Sequence, residues 1–109
     1  MNISSIKQTI VNKLRPLNPE KVILFGSFAN GTPHENSDID LYIVSRETFT
    51  PCNYAENMQH YKKYTCVLRE LKEQHPMDII VHTLDMNKLF EDAGSSFARE
   101  IVTRGTRLL

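Results

Sequence analysis

Apolar and polar residues alternate with two different periods along the first half of the chain. In the first segment, apolar residues recur every three or four positions, which is the spacing of one helix face, and this predicts a helix over Asn2–Leu17. The apolar run Val22–Phe25 has the length and β-branched content of a buried strand. The segment Ser37–Val44 then alternates with a period of two, which predicts a second strand with one apolar face.

The second half of the chain continues with a loop, helices and one more strand. Periodicity is lost over Ser45–Asn53, and a helix is predicted over Tyr54–Gln74. Met77–Thr83 is a predicted third strand, followed by predicted helices at Asp85–Asp92 and Ser96–Arg104. A helix of about 20 residues between two strands is long enough to cross over and place them parallel. We therefore expect an α/β (α+β) domain with a small mixed sheet of at least three strands flanked by helices.

Length and charge restrict the classes of function. A chain of 109 residues can bury one modest core, so residues 1–109 are expected to form a single domain. Thirteen Lys and Arg residues balance thirteen Asp and Glu residues, which leaves a formal net charge of zero. Proteins that bind long nucleic acids carry a basic excess, so no such partner is expected. Zero net charge instead favours association with another protein.

The cysteines and the apolar runs indicate a cellular compartment. Cys52 and Cys66 lack the spacing of a metal or redox motif, and a disulfide scaffold of this size would use more cysteines. We therefore expect free thiols in a reducing environment. The start of the chain does not resemble a signal peptide, and no apolar run approaches the length of a membrane span. A cytoplasmic protein without membrane contact is the expectation.

Two aspartates at the start of the second strand are the first candidates for chemistry. Asp38 and Asp40 are two positions apart, so on a strand they share a face with Cα atoms about 6.5–7 Å apart. Neighbouring carboxylates repel each other unless a cation lies between them. Mg²⁺ suits such a pair, because it prefers oxygen ligands and retains substrate phosphates in its shell. The plain alternative is a solvated strand end with a turn-capping aspartate.

Gly26-Ser27, directly after the first strand, is a candidate phosphate site. A glycine at this point allows another group to approach the backbone closely. Ser27 is suited to cap a short helix beginning at Phe28, and free amides at a helix start bind anions. A phosphate cradle beside metal-binding carboxylates would suit a nucleoside triphosphate. Taken without the aspartates, the same dipeptide is an ordinary turn between a strand and a helix.

The spacing of these two features resembles a known family. Gly26-Ser27 is followed by the ten residues 28–37 and then by Asp38-Ile39-Asp40. This resembles the signature of the polymerase-β-like nucleotidyltransferase superfamily and, within it, of the minimal nucleotidyltransferases. The resemblance covers roughly Val22–Val81, and the tail Phe97–Leu109 is also similar to the end of that family. It implies the polymerase-β-like nucleotidyltransferase fold.

The resemblance also implies roles for individual residues. The family's third carboxylate lies on the strand after the aspartate pair, where Asp78 is the acidic residue here, although an aspartate at that point could also be a turn residue. Asp38, Asp40 and Asp78 are the expected catalytic and metal-binding residues, with two Mg²⁺ ions shared among them. Gly26, Ser27 and Ser37 are the expected nucleotide-binding residues. One departure is Asn30, where family members commonly carry arginine.

The activity implied by the resemblance is transfer of AMP from ATP onto a hydroxyl, with release of pyrophosphate. Minimal nucleotidyltransferases are typically paired with HEPN-domain proteins as antitoxin and toxin. The resemblance therefore implies a type VII-like antitoxin that forms a hetero-oligomer with a HEPN ribonuclease and adenylylates one of its tyrosines. Two alternatives stay open: neutralisation of the partner by binding alone, and nucleotidyl transfer to a small molecule or an RNA end.

Overall fold

The structure is a computed structural model that describes residues 3–26 and 38–109. It begins with α1 (Ile3–Leu14) and a 3-10 turn at Arg15–Leu17. The remaining elements follow in chain order: β1 (Lys21–Phe25), β2 (Ile39–Val44), α2 (Tyr54–Thr65), a 3-10 turn (Cys66–Leu68), α3 (Arg69–Gln74), β3 (Met77–His82), α4 (Leu84–Asp92), α5 (Ser96–Arg104) and β4 (Thr106–Arg107).

The strands form one mixed sheet in the order β3-β2-β1-β4. β1 pairs antiparallel with β2 and with β4. β2 and β3 are parallel, as expected for two strands joined by a helical crossover. The predicted fold class is therefore confirmed, with one strand more than the three that the sequence indicated.

Each face of the sheet supports its own apolar core, because successive side chains of a strand point to opposite faces. On one face, α1, α2 and α3 cover the sheet, and the buried side chains there include Ile10, Leu24, Leu41 and Tyr64. On the other face, the core is formed by Ile23, Phe25, Tyr42, Val44 and Ile101, with Ile80, Leu84 and Phe90 packed against it. The second face carries Asp40 at one end.

The predicted crossover helix is interrupted in the structure. A 3-10 turn at Cys66–Leu68 separates α2 from α3. The sequence Thr65-Cys66-Val67 at this point consists of weak helix formers, so a tightened turn costs little there. The turn coincides with the burial of Leu68 and Leu71, which are 1% and 5% exposed. The α-helical hydrogen bonding is therefore interrupted at the point where two leucines are buried in the core.

Side chains cap the remaining helices where the sequence supplies them. Asn53, Thr83 and Ser95 each accept a hydrogen bond from a backbone amide three residues later, at the starts of α2, α4 and α5. Such caps satisfy amide donors that a helix start otherwise leaves unpaired. In the described ranges, no helix combines the length and apolar character needed to cross a bilayer.

Candidate active site

Asp40 and Asp78 lie side by side at one end of the sheet. They are register partners in the parallel pair of β2 and β3, so both side chains belong to the face that α4 and α5 cover. Asp40 is half-buried, whereas Asp78 is exposed. Asp38 is exposed and directly precedes β2. The structure thus brings Asp40 and Asp78 together as the sequence predicts, with Asp38 one step outside the strand.

Gly26, the residue directly after β1, lies very close to Asp40. Its φ angle is +75°, in the region that favours glycine, and it follows Phe25, the register partner of Asp40. A Cβ atom at position 26 would overlap Oδ2 of Asp40 and would lie 3.2 Å from Cγ of Asp40. The close approach predicted at Gly26 is therefore present, and the approaching group is the Asp40 carboxylate. Its role in nucleotide binding stays a prediction.

The electrostatics of the site are unfavourable to negative charge on Asp40. Burial raises the pKa of Asp40 most, and the neighbouring charges of Asp78, Asp38 and Glu100 raise this pKa further. Glu100 is an exposed residue of α5, and the sequence motif gave no signal that it would face this site. Four carboxylates therefore repel one another in one small region, and a divalent cation bound there would reduce this repulsion.

The donor set suits a hard cation, although the described residues do not enclose one. Among them, no three His, Cys, Asp or Glu side chains are close enough to form a metal-binding group. The adjacent carboxylates of Asp40 and Asp78 supply the oxygen chemistry that Mg²⁺ prefers, and Mg²⁺ commonly takes one or two carboxylates together with substrate phosphates. The residues present therefore fit the expected ion. The participation of Asp38 in the same ligand set stays a prediction.

An open pocket of about 480 Å³ adjoins the aspartate pair. Its walls are mostly apolar, and its polar side chains are carboxylates; it is lined by Phe25, Asp40, Asp78, Ile79, Ile80 and Phe97. Phe97 belongs to α5 and comes from the part of the chain farthest in sequence from the motif. Phe97 was not predicted as a site residue, because nothing in the local sequence marks an aromatic residue as part of a distant site.

A hydrogen-bonded network supports the sheet face next to the site. The Tyr42 hydroxyl lies 2.8 Å from Nδ1 of His82 and donates to Oδ1 of Asn87 over 2.8 Å. Since that hydroxyl has one proton, His82 must donate from Nδ1 to the Tyr42 oxygen. The Asn87 amide donates in turn to Glu91, which pairs with Lys21 at 3.4 Å. Burial and the charge of Glu91 raise the pKa of Tyr42, so this hydroxyl stays protonated.

Several predicted features lie outside the described residues. These are Ser27, Ser37, Asn30 and the short helix expected to begin at Phe28. Of the remaining predictions, Cys52 and Cys66 are both exposed and free, as expected for a chain without a disulfide scaffold.

The chain matches one protein family over almost its whole length. The family model described as "Polymerase beta, Nucleotidyltransferase" matches residues 5–109. No curated protein matches the sequence significantly.

Solved structures share the fold at low sequence identity. A chain of a toxin–antitoxin crystal structure with AMP-PNP has a TM-score of 0.57 and 24% identity, over 94% of this chain and 72% of that one. A chain of a variant MntA–HpeT toxin–antitoxin structure has a TM-score of 0.53 and 23% identity, over 100% and 72% of the two chains. A chain of a complex between a tri-AMPylated HEPN toxin and an MNT antitoxin from Shewanella oneidensis has a TM-score of 0.50 and 19% identity, over 99% and 72%.

The fold, the glycine that makes room for an aspartate and the carboxylate pair in register agree with the family match. The chain belongs to the polymerase β nucleotidyltransferase family.

Proposed function

We propose that this protein is a Mg²⁺-dependent adenylyltransferase that moves AMP from ATP onto a tyrosine hydroxyl of a HEPN-domain toxin. The observation that carries this proposal is the pairing of Asp40 with Asp78 beside Gly26. That arrangement holds two carboxylates at the end of a rigid sheet, next to the turn where the family motif begins. Family membership supports the reaction class.

Each residue would have a separate task in the transfer. The Asp38 and Asp40 carboxylates would hold the cation that carries the triphosphate, and Asp40 would share a second cation with Asp78. Bound Mg²⁺ would neutralise charge that develops on the transferring phosphoryl group. Asp78, which is more exposed than Asp40, would orient the acceptor hydroxyl and accept its proton. The acceptor oxygen then bonds to the α-phosphorus while the bond to the β-phosphate oxygen breaks, releasing pyrophosphate.

Two observations support a protein acceptor and a hetero-oligomer. The structural neighbours include complexes of toxin and antitoxin, one with AMP-PNP and one with an AMPylated HEPN toxin. The zero net charge of this chain suits association with another protein in the cytoplasm better than binding to a polyanion. Gly26 and the outlying Ser27 and Ser37 would bind the nucleotide in this complex.

The test is label transfer from ATP to the partner. The wild-type chain, mixed with its HEPN partner, Mg²⁺ and ATP labelled at the α-phosphate, should label the partner on tyrosine. Asp38→Asn combined with Asp40→Asn should reduce the initial rate by at least about a thousandfold, because both cation ligands lose their charge. Asp85→Asn combined with Asp92→Asn, two exposed aspartates of α4, is the control for the same loss of charge.

The same double variant distinguishes catalysis from neutralisation by binding. If Asp38→Asn with Asp40→Asn still labels the partner at the wild-type rate, the proposed mechanism is wrong. If wild type transfers no AMP and the double variant suppresses toxicity fully, the protein acts by binding alone. Asn30 stands where family members commonly carry arginine, and this departure is the feature of the sequence that favours neutralisation by binding alone.

A further inference from the structure

Phe97 is an exposed aromatic side chain at the edge of the acidic pocket. Phe97 is 43% exposed, and exposed apolar surface beside a polar site can form part of a ligand-binding groove. It lines the same pocket as Asp40 and Asp78. Phe25, the last residue of β1, also lines this pocket. An aromatic wall and a carboxylate floor therefore share one cavity.

The Phe97 ring is held in a fixed orientation by two other aromatic rings. Its centroid lies 5.7 Å from that of Phe25 at an interplanar angle of 72°, and 6.0 Å from that of Phe90 at 80°. Both contacts are edge-to-face arrangements, which are favourable beyond the area that they bury. A ring restrained in this way loses little conformational freedom when a ligand covers its exposed part. The structure thus presents a preorganised aromatic surface to the pocket.

The chemistry of the pocket matches a phenol. Its walls are apolar at Phe25, Ile80 and Phe97, and its polar side chains are carboxylates that accept hydrogen bonds. A phenol consists of an apolar ring with a single O–H donor, so the ring would meet the walls and the hydroxyl would meet a carboxylate. An adenine ring matches the pocket less closely, because only its exocyclic amino group can donate to a carboxylate, whereas its ring nitrogens are acceptors.

The position of the pocket also favours the acceptor over the nucleotide. Three of its lining residues come from β3, namely Asp78, Ile79 and Ile80, whereas Gly26 is not among them. The pocket therefore reaches from Phe25 at the end of β1 across the sheet to the β3 side. Asp78, which would take the acceptor's proton, lies on that same side.

We infer that Phe97 forms the binding surface for the aromatic ring of an acceptor tyrosine and makes the enzyme select phenolic over aliphatic hydroxyls. This inference rests on the proposed function and assigns the residue that recognises its acceptor. The ring of the incoming tyrosine packs against Phe97 while its hydroxyl points to the Asp78 carboxylate. Phe97 thereby distinguishes a tyrosine from a serine or threonine, which would leave the aromatic wall uncovered.

The first experiment measures binding without any reaction. The wild-type chain with Mg²⁺ is titrated with N-acetyltyrosinamide and, separately, with N-acetylserinamide, and the resonances of Ile80 and of the aromatic rings are followed by NMR. We expect saturable shifts with the tyrosine compound, about tenfold weaker affinity in Phe97→Ala, and an intermediate effect in Phe97→Leu, because tenfold corresponds to about 1.4 kcal/mol, which is within the range of an aromatic contact. Val102→Ala, at another exposed position of α5 that lies outside this pocket, should bind as wild type does.

The second experiment measures recognition of the acceptor in the transfer reaction. With the HEPN partner as acceptor, Phe97→Ala should raise KM about tenfold, while the affinity for ATP stays unchanged. Unfolding curves of each variant show whether the loss of contacts with Phe25 and Phe90 has affected the fold. Phe97→Leu, which retains apolar bulk, keeps the inference testable if the alanine variant is unstable.

Three results would decide the matter. Unchanged tyrosinamide affinity in both Phe97 variants would overturn the inference, and so would an equal loss of ATP affinity, since the ring would then contact the nucleobase. Binding of tyrosinamide that depends on Phe97 supports the inference even when no AMP is transferred. Absence of AMP transfer by the wild-type chain contradicts only the proposed function, so the two failures are distinguishable.

Discussion

Asp40 shows how a single residue can favour binding of a ligand while it lowers the stability of the ligand-free protein. The Asp40 carboxylate is half-buried and lies very close to the Gly26 backbone. It is also repelled by the negative charges of Asp78, Asp38 and Glu100. Within the described part of the chain, no cation partner for this carboxylate is among the ion pairs. Sites that must bind charge often retain such repulsion, and substitutions that remove it stabilise the protein while abolishing activity.

Replacement of Asp40 should therefore stabilise the metal-free protein. The folded-state pKa of Asp40 is raised above the unfolded value near 3.9, so the folded state binds a proton more tightly, and its stability falls as pH rises from about 4 through the raised pKa. Asp40→Asn removes this ionisation. After allowance for solvent screening, we expect it to raise the free energy of unfolding by about 0.5 kcal/mol at pH 7, with little difference from wild type at pH 3.

Urea unfolding curves at several pH values without divalent ions measure this effect. Asp92→Asn makes the same change of charge at an exposed position of α4 and should leave the stability and its pH dependence nearly unchanged. A lower stability of Asp40→Asn at pH 7 would mean that the carboxylate makes favourable contacts in the folded state, contrary to this account.

At the scale of elements, helix α4 is fixed to the sheet by polar as well as apolar contacts. Tyr42 of β2 is 1% exposed, and its hydroxyl joins His82 of β3 to Asn87 of α4. Its ring packs against Phe90 with centroids 5.3 Å apart. Buried polar groups are tolerated only when they are paired, so the hydroxyl is needed by both of its partners. The network thus joins β2 and β3 to α4 on the sheet face that carries the site.

Removal of the Tyr42 hydroxyl should be costly for so small a change. In Tyr42→Phe, Asn87 and His82 each lose a partner while they remain at least partly buried, and we expect a loss of about 1–3 kcal/mol in the free energy of unfolding. Tyr54→Phe removes the same atom from a residue that is 75% exposed and should be neutral. Equal stabilities of the two variants would show that the network contributes nothing to the attachment of α4.

The elements themselves were predictable where a pattern extends over several turns or alternations. Helix α5 was expected at Ser96–Arg104 and occurs there, because its cap and its apolar spacing are local. Strand β4 was missed, since Thr106 and Arg107 become a strand only by pairing with Leu24 and Ile23 of β1. The 3-10 turn at Cys66–Leu68 was missed because burial of Leu68, rather than propensity alone, favours it.

At the scale of the whole molecule, the site is assembled from segments distant in sequence. Gly26 follows β1, Asp40 and Asp78 lie on β2 and β3, and Phe97 comes from α5. Asp38 and Asp40 could be assigned to one strand face from their period of two, whereas the place of Asp78 beside them was implied by the resemblance to the family. Glu100 and Phe97 could not be placed from the sequence, because their approach depends on how α5 packs against the sheet.

Because the site exists only when the whole sheet is formed, its ligand should stabilise the entire chain against unfolding. At MgATP concentrations one hundred times Kd, binding to the folded state alone adds about 2.7 kcal/mol. For a domain of this size we expect Tm to rise by about 10 °C or more in a thermal unfolding experiment.

The dependence of this rise on Mg²⁺ tests the acidic pair. ATP with a chelator should produce a much smaller rise, since Asp40 and Asp78 repel the triphosphate when no cation lies between them. Asp40→Asn should begin from a higher Tm than wild type and gain less from MgATP, because it lacks both the repulsion and the ligand. Equal shifts with and without Mg²⁺ in the wild-type chain would show that the nucleotide binds away from the carboxylates, and the proposed arrangement of the site would then be wrong.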